Sequence, residues 1–190
     1  YRVYKVCSMP PPSSGGIALI QMLNILENFN LSKIKHNSEE YLKILISVMN
    51  YAFYDRAKYL GDSEFFNVPK KILTSKEYGK NIYNNILKNI RPTESNIIFS
   101  ESEETTHFSV IDKWGNAVSN TYTLNTAYGS GIVPSGTGIL MNNEMDDFSA
   151  APGIPNQFNL LGAEANEIAP FKRPLSSMTP TIVLKDKELF

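Results

Sequence analysis

The hydrophobic period of this 190-residue chain changes once, across an acidic segment between Pro92 and Glu104. Before the segment, apolar residues recur every three or four positions, which is the spacing of helices. After it, apolar and polar residues alternate as they do in strands. The segment itself is rich in Glu, Ser and Thr, a composition typical of linkers. The pattern therefore predicts helices first, then a linker, then strands.

Three helices are expected in the first half. The first carries apolar residues at helical spacing over 17–26. The second spans 37–60, with Asn37 as its N-cap and Glu40 as the capping-box partner. The third covers 75–89 and ends before a proline.

A β-hairpin is expected directly after the linker, beginning at Thr105. Its strands, 107–111 and 117–124, flank a short turn. Long irregular stretches follow at 125–138 and 146–174, more loop than a compact domain carries without a functional reason. The C-terminal residues indicate a further strand and turn, and we expect both ends to lie inside a longer protein.

The charge balance gives no electrostatic reason to expect nucleic acid or an anionic membrane as partner, since 18 basic and 19 acidic residues leave a net charge of −1. The single cysteine, Cys7, cannot form an internal disulfide, and no neighbouring Cys or His suggests a metal site. No apolar run approaches the ~18 residues that a membrane-spanning helix needs. A small-molecule or peptide ligand fits this composition better.

Thr105 lies where the acidic linker enters a strand. A cut before it would expose a threonine that is nucleophile and base together, because a free α-amine with a pKa of about 7.7 to 8.0 is partly unprotonated near neutral pH. A Thr-Thr pair entering a strand is also what β-propensity alone produces. The residues by themselves leave both interpretations open.

Other polar clusters have ordinary structural interpretations. The acidic run 144–147 suits a solvated loop and lacks the spacing of Gly and Glu in the helix-loop-helix calcium motif. Ser176 and Ser177 suit a turn, and the Gly-Ser-Gly at 129–131 lacks the lysine of a phosphate loop.

The only histidines are His36 and His107, so a Ser-His-Asp triad would have to use one of them. No Gly-x-Ser-x-Gly elbow accompanies them. Strand alternation puts His107 on the same side as Thr105, where a structural hydrogen bond is the simpler role.

Several long segments, in order along the chain, carry a family resemblance. In the second half they are TTHFSV at 105–110, GNAV at 115–118, TYTLNT at 121–126, GILMNNEMDDFS at 138–149 and KRPLSSM at 172–178. In the first half they are MPPPSSGG at 9–16 and DRAKYLGD at 55–62. Together they resemble the gamma-glutamyltransferase (gamma-glutamyltranspeptidase) family, the later segments its small subunit and the earlier ones its large subunit. Several motifs in register are a stronger signal than any one alone.

The resemblance implies an α+β fold, the N-terminal-nucleophile αββα sandwich, of which this chain holds an incomplete portion. Residues 1–104 correspond to the C-terminal part of the large subunit, mainly helical and ending in the acidic linker. Residues 105–190 correspond to the N-terminal part of the small subunit, with strands and substrate-binding loops. The two subunits of one precursor are then partners, and the family implies a periplasmic or extracellular location.

The resemblance also implies a reaction. The precursor cuts itself between Glu104 and Thr105, Thr105 becomes the nucleophile, and the Thr123 hydroxyl bonds and orients it. Thr105 attacks the gamma-carbonyl of glutathione or another gamma-glutamyl amide, and water or an acceptor amino acid or peptide resolves the acyl-enzyme. The implied reaction needs no cofactor and no metal.

By the same resemblance, the two charged ends of the substrate are held by different residues. Asn125, Glu144 and Asp147 match positions that bind the α-amino group, and Ser176 and Ser177 match positions that bind the α-carboxylate. A desolvated ammonium needs charged acceptors, whereas paired hydroxyls donate to a carboxylate without adding charge.

Two parts of the family's site, an arginine clamp and a Gly-Gly oxyanion hole, have no match in these residues. Arg56 and Arg173 belong to other family motifs and are not assigned to the clamp. Because losing one oxyanion donor lowers a rate by ~100-fold or more, these residues alone are expected to be nearly inert. The segment 152–163 aligns with a lid loop, in which Phe158 stands where relatives have a tyrosine and cannot make the phenol's hydrogen bond.

Two other functions remain open. A capsule poly-gamma-glutamate depolymerase shares the nucleophile and the fold but acts on a polymer, which a lid over the pocket argues against. A non-catalytic fragment or an uncleaved proenzyme would keep the bond between Glu104 and Thr105 intact.

Overall fold

The computed structural model describes residues 1–92, 104–151, 153–154 and 162–190. The regular elements, in chain order, are β1 Tyr4–Ser8, α1 Gly15–Leu26, α2 Glu39–Tyr59, α3 Lys70–Leu73, α4 Lys76–Leu87, β2 Thr106–Ile111, β3 Ala117–Tyr122, β4 Thr181–Lys185 and β5 Glu188–Leu189. Short 3-10 turns lie at Leu31–Lys33, Glu144–Asp147 and Glu164–Asn166. Within the described ranges, no helix is long and apolar enough to cross a membrane.

Serine hydroxyls begin two of the helices. Ser38 Oγ accepts a hydrogen bond from Tyr41 N at the start of α2, and Ser75 Oγ accepts one from Tyr78 N at the start of α4. The prediction that Asn37 caps α2 was wrong. Asn37 lies just before the cap with φ of 57°, in the left-handed region that asparagine tolerates.

The three long helices pack together around an apolar core with a buried carboxylate beside it. The apolar cluster Ile25, Val48, Tyr51 and Ile82 joins α1, α2 and α4. Beside it, Asp55 on α2 accepts hydrogen bonds from Gln21 Nε2 at 2.5 Å and from Tyr78 OH at 2.8 Å. Desolvation by burial raises the pKa of Asp55, and these two donors oppose that rise.

A second apolar cluster attaches the C-terminal half of the chain to the helices. It contains Ile17, Leu60, Val68, Leu73 and Leu175. Leu175 comes from the strand-and-loop half and is 2% exposed. Burying one leucine stabilises a fold by roughly 1.5 to 3 kcal/mol, so this side chain is a substantial anchor between the halves.

The first and last parts of the chain also share a sheet with strand order β1-β4-β5. β1 is antiparallel to β4, in a register that runs from Tyr4 opposite Lys185 to Ser8 opposite Thr181. The strand and turn expected at the C-terminal end are thus confirmed, whereas the helical pattern of the first half did not predict β1.

The predicted hairpin is present as β2 and β3, paired antiparallel from Thr106 opposite Tyr122 to Ile111 opposite Ala117. Asp112 closes its turn, because its carboxylate accepts hydrogen bonds from the main-chain N–H groups of residues 114 and 116 at 2.9 Å each.

Candidate functional site

Thr105 immediately precedes β2 and is exposed. Continuing the hairpin register by one pair beyond Thr106 and Tyr122 sets Thr105 opposite Thr123. Thr123 Oγ1 accepts a hydrogen bond from Asn125 N at 2.9 Å, which leaves the Thr123 hydroxyl proton available for donation.

His107 lies on the same face of the hairpin as Thr105 and is held at both ring nitrogens. Nδ1 is 2.7 Å from Thr121 Oγ1, and Nε2 is 3.3 Å from Ser109 Oγ. These contacts favour the structural role over a triad base.

The loop after β3 is tied to the loop that precedes the acidic turn. Asn125 is buried with φ of 77°, and its Nδ2 donates to Asn143 O at 3.3 Å. Asn143 in turn donates from its main chain to Leu124 O and accepts at Oδ1 from Thr126 N, both at 3.2 Å. Asn125 is therefore brought close to the residue before Glu144.

The 3-10 turn Glu144–Asp147 concentrates negative charge in a partly buried place. Desolvation by burial raises the pKa of Asp147 to about 7, and a hydrogen bond with Glu144 and repulsion from its charge add to the rise. The charge of Arg56 opposes it. A carboxyl whose charged form is disfavoured in this way is stabilised in that form by a bound cation, such as an ammonium.

Arg56 lies at the centre of the site, although the sequence interpretation left it out. Its Nε donates to Ser14 Oγ and its Nη2 to Ser177 Oγ, both at 3.2 Å. Burial lowers the pKa of Arg56 to about 10, and the Asp147 charge opposes this, so the guanidinium stays charged at neutral pH. Its signal in the sequence is that it continues the buried stripe of Val48 and Ala52 on α2 at intervals of four residues.

The paired serines are fixed against the segment after β1. Ser14 donates to Ser176 O from its main-chain N at 2.8 Å and from its Oγ at 2.9 Å, and Ser176 N donates to Pro12 O at 2.9 Å. Ser13 Oγ donates to Met178 O at 2.7 Å. The motif at 9–16 therefore holds the motif at 172–178 in place.

Both serine hydroxyls are left able to donate. Ser177 Oγ accepts from Arg56, and Ser176 Oγ accepts from Met178 N at 3.1 Å. A hydroxyl that accepts from such a donor keeps its own proton for another partner. Hydroxyl protons on two consecutive residues are donors that suit an anion such as a carboxylate.

Arg173 is bound elsewhere. Its Nε and Nη2 donate to the two carboxylate oxygens of Asp62 at 2.8 and 2.7 Å, and this guanidinium holds the pKa of Asp62 well below its usual range.

Phe158 and most of the predicted lid 152–163 lie outside the described residues. In the part of the chain that the structure describes, no group of three or more His, Cys, Asp or Glu side chains is arranged to hold a metal ion.

Comparison with known proteins identifies relatives of several kinds. A sequence model of the gamma-glutamyltranspeptidase family matches residues 1–190. The glutathione hydrolase proenzyme of Escherichia coli is 53% identical over 193 residues, covering 98% of this chain and 33% of that protein. An acylase ACY 1 proenzyme of a Pseudomonas species is 35% identical over 187 residues, covering 98% of this chain and 32% of its own.

Among solved structures, a cephalosporin acylase from Bacillus halodurans matches with a TM-score of 0.74 and 25% identity, covering 100% of this chain and 32% of that chain. The shared fold is an α+β portion of the N-terminal-nucleophile hydrolase sandwich. The chain belongs to the gamma-glutamyltranspeptidase family, as its motifs predicted. It spans about a third of the length of the curated relatives it matches.

Proposed function

We propose that this chain is part of an enzyme that transfers gamma-glutamyl groups from glutathione and other gamma-glutamyl amides to water or to an amino-acid or peptide acceptor. The observation that carries the proposal is the charge arrangement around Arg56. Asp147 interacts electrostatically with Arg56 and offers a hydrogen-bond acceptor. Ser177 accepts a hydrogen bond from Arg56 and keeps its own hydroxyl proton to donate. An α-amino acid has an ammonium and a carboxylate on one carbon, so it satisfies both groups together.

In this proposal the free amino-acid end of the donor is held away from the scissile bond. Asn125, Glu144 and Asp147 accept hydrogen bonds from the α-ammonium, and Ser176 and Ser177 donate to the α-carboxylate. The gamma-carbonyl, at the other end of the side chain, is then directed to the nucleophile. Holding a reactant in this way converts binding energy into orientation.

The nucleophile is Thr105. Its Oγ attacks the gamma-carbonyl carbon, an ester forms, and the amine leaves, cysteinylglycine where glutathione is the donor. The α-amine of Thr105 takes the hydroxyl proton and passes it to the leaving amine. Water or an acceptor amine then attacks the ester carbon and restores the hydroxyl. The proposal draws support from the hairpin register, which pairs Thr106 with Tyr122 and, if continued by one pair, would bring Thr123 opposite Thr105. The Thr123 hydroxyl accepts from Asn125 N and keeps its proton to donate.

Autocleavage between Glu104 and Thr105 comes first, because the α-amine must be free to act as a base. The Thr105 hydroxyl attacks the carbonyl carbon of Glu104, and the C–N bond between Glu104 and Thr105 breaks as its nitrogen takes up the hydroxyl proton and becomes the α-amine. Water then hydrolyses the resulting ester, which leaves the Glu104 carboxylate and restores the Thr105 hydroxyl. The two curated relatives named above are both proenzymes, which agrees with a precursor that is cut. Oxyanion donors and the arginine clamp would come from parts of the protein beyond these residues.

The test uses the full-length protein. On a denaturing gel the wild type is expected as two chains, the smaller beginning Thr-Thr-His, with hydrolysis of gamma-glutamyl p-nitroanilide. Thr105→Ala is expected to remain one chain and inactive, since it has no hydroxyl to attack either carbonyl. Thr105→Ser, which keeps a hydroxyl, is the matched control and should mature. A wild type that remains a single chain and still hydrolyses the donor would contradict the proposal that Thr105 must be freed by cleavage before it can act.

The same protein separates the alternatives. Release of glutamate from glutathione without shortening of poly-gamma-glutamate, followed by size exclusion, favours the small-molecule enzyme over the depolymerase. A wild type that stays one chain and turns over neither substrate would identify the uncleaved, non-catalytic form.

A further inference from the structure

Asn166 is a buried amide that bridges the two parts of the site. Its Nδ2 donates to Asp147 O at 2.7 Å, and its Oδ1 accepts from Leu175 N at 3.0 Å. Its main-chain O accepts from Ser149 N at 2.9 Å. One residue thus joins the end of the acidic turn to the residue that precedes Ser176.

The turn that carries this amide is itself fixed to the helical half. Ala165 is 1% exposed and lies so close to the end of α2 that a Cβ on Gly61 would be 1.9 Å from Ala165 O. The main-chain N of Asn166 donates to Ala163 O at 3.0 Å. On the other side, Leu175 is buried in the cluster with Ile17. The turn that carries the amide and its partner Leu175 are therefore each anchored to the helical half.

Only a primary amide of this length makes both contacts. An aspartate would still accept from Leu175 N, but it has no proton for Asp147 O and would add a charge next to an acidic turn. An alanine would leave Asp147 O and Leu175 N without these partners. One loss falls on the main chain of Asp147, a proposed ligand, and the other on that of Leu175, next to Ser176, and neither removes a ligand side chain.

We infer that Asn166 is a positioning residue that sets the separation between Asp147, for the α-ammonium, and Ser176 and Ser177, for the α-carboxylate. The inference rests on the proposed function. Correct separation matters only to a ligand that has both charged groups, because its second contact becomes intramolecular once the first has formed. The affinity of a ligand with only one of the two charged groups does not depend on this separation.

The test compares three inhibitors of the mature, full-length enzyme: glutamate has both groups, glutarate lacks the ammonium, and 4-aminobutyrate lacks the α-carboxylate. For Asn166→Ala the inhibition constant of glutamate should rise by ~10-fold or more, while those of the other two change by less than ~3-fold. The KM for gamma-glutamyl p-nitroanilide should rise with the glutamate constant, whereas autocleavage should proceed at the wild-type rate, since it needs no bound substrate.

The matched control is Asn24→Ala. Asn24 is also a buried asparagine whose Nδ2 donates to a main-chain carbonyl, that of Thr74 at 2.8 Å, but it lies between helices. It should lower stability and leave all three inhibition constants unchanged. If Asn166→Ala fails to fold, Asn166→Gln, which keeps an uncharged amide but lengthens the side chain by one methylene, takes its place.

The inference is overturned if all three constants rise equally, if none changes, or if Asn24→Ala gives the same pattern. These outcomes are separable from failure of the proposed function. If the wild type does not hydrolyse the donor, the proposed function is wrong. If the wild type is active and Asn166→Ala leaves the three inhibition constants unchanged, only this inference is wrong.

Discussion

At the scale of single residues, the raised pKa of Asp147 predicts that ligand binding depends on pH. Its pKa of about 7 is raised above that of an ordinary carboxyl, so in the empty site it is increasingly protonated as the pH falls below 7. A bound ammonium requires the charged form. The inhibition constant of glutamate should therefore rise as the pH falls, by ~10-fold between pH 8 and pH 6.

Two variants should move this midpoint in opposite directions. Glu144→Gln removes the repulsion that raises the Asp147 pKa and should shift the midpoint to lower pH. Arg56→Gln removes the charge that opposes the rise and should shift it to higher pH. Glutamate inhibition measured across pH checks both, and a flat profile or two shifts of the same sign would refute this account of Asp147.

Thr123 provides a second prediction at the residue scale. Thr123→Ala removes the hydroxyl opposite Thr105 and should slow both maturation and turnover, since misplacing a reacting group by about 1 Å costs ~100-fold. Thr123→Ser should recover much of each rate. Gel densitometry follows maturation, and donor hydrolysis follows turnover. Normal rates in Thr123→Ala would remove this residue from the mechanism.

The motifs name the candidate site residues, whose roles stay predictions, but they do not name the partners of those residues. Ser176 and Ser177 could be named from the sequence, whereas the bond from Arg56 to Ser177 joins residues 121 positions apart. A charge on the buried stripe of a helix signals that a partner exists without saying which one. Asn166 carries no signal of that kind, because its role depends on two main-chain groups that no side-chain pattern specifies.

At the scale of elements, the close approach of the Glu164–Asn166 turn to the end of α2 depends on Gly61. Because a Cβ there would meet the backbone carbonyl of Ala165 at 1.9 Å, Gly61→Ala should lower the free energy of unfolding by about 1 to 3 kcal/mol or more. Gly136→Ala is the comparison, since its Cβ would meet open space and only its φ of 78° is unfavourable. Thermal melting of the mature protein should show the larger loss for Gly61→Ala, and an equal or smaller loss would contradict the packing argument.

Elements with local causes were predicted best. α1, α4 and the hairpin follow from periodicity, a serine cap and a turn, all within a few residues. The α2 cap was misplaced by one residue because Asn37 and Ser38 are both good caps and the sequence does not choose between them. β1 was missed because its partner, β4, lies at the other end of the chain.

At the scale of the whole molecule, the β2–β3 hairpin lacks the layers that cover strands in the complete sandwich. Every residue of β2 is exposed, including Phe108 and Val110. In an αββα sandwich the strands are covered on both faces, so the exposure agrees with a chain that spans about a third of its relatives. Strand alternation in the sequence predicts the hairpin but does not say what covers it.

The last prediction rests on the proposed cut after Glu104 and concerns how the two halves would then stay together. The Asp62 side chain is fully buried, and Arg173 from the other half meets it with Nε, Nη2 and its main-chain N. Arg173→Gln would leave a buried carboxylate without its cation, so it should weaken the association of the two chains. The mature protein should then separate into its chains at lower urea concentration, as seen by size exclusion.

Glu64→Gln is the matched control, since Glu64 also binds Arg173 but is 72% exposed, and it should change the midpoint little. Equal midpoints for wild type and Arg173→Gln would show that the β1–β4 pairing and Leu175 hold the halves together without this ion pair.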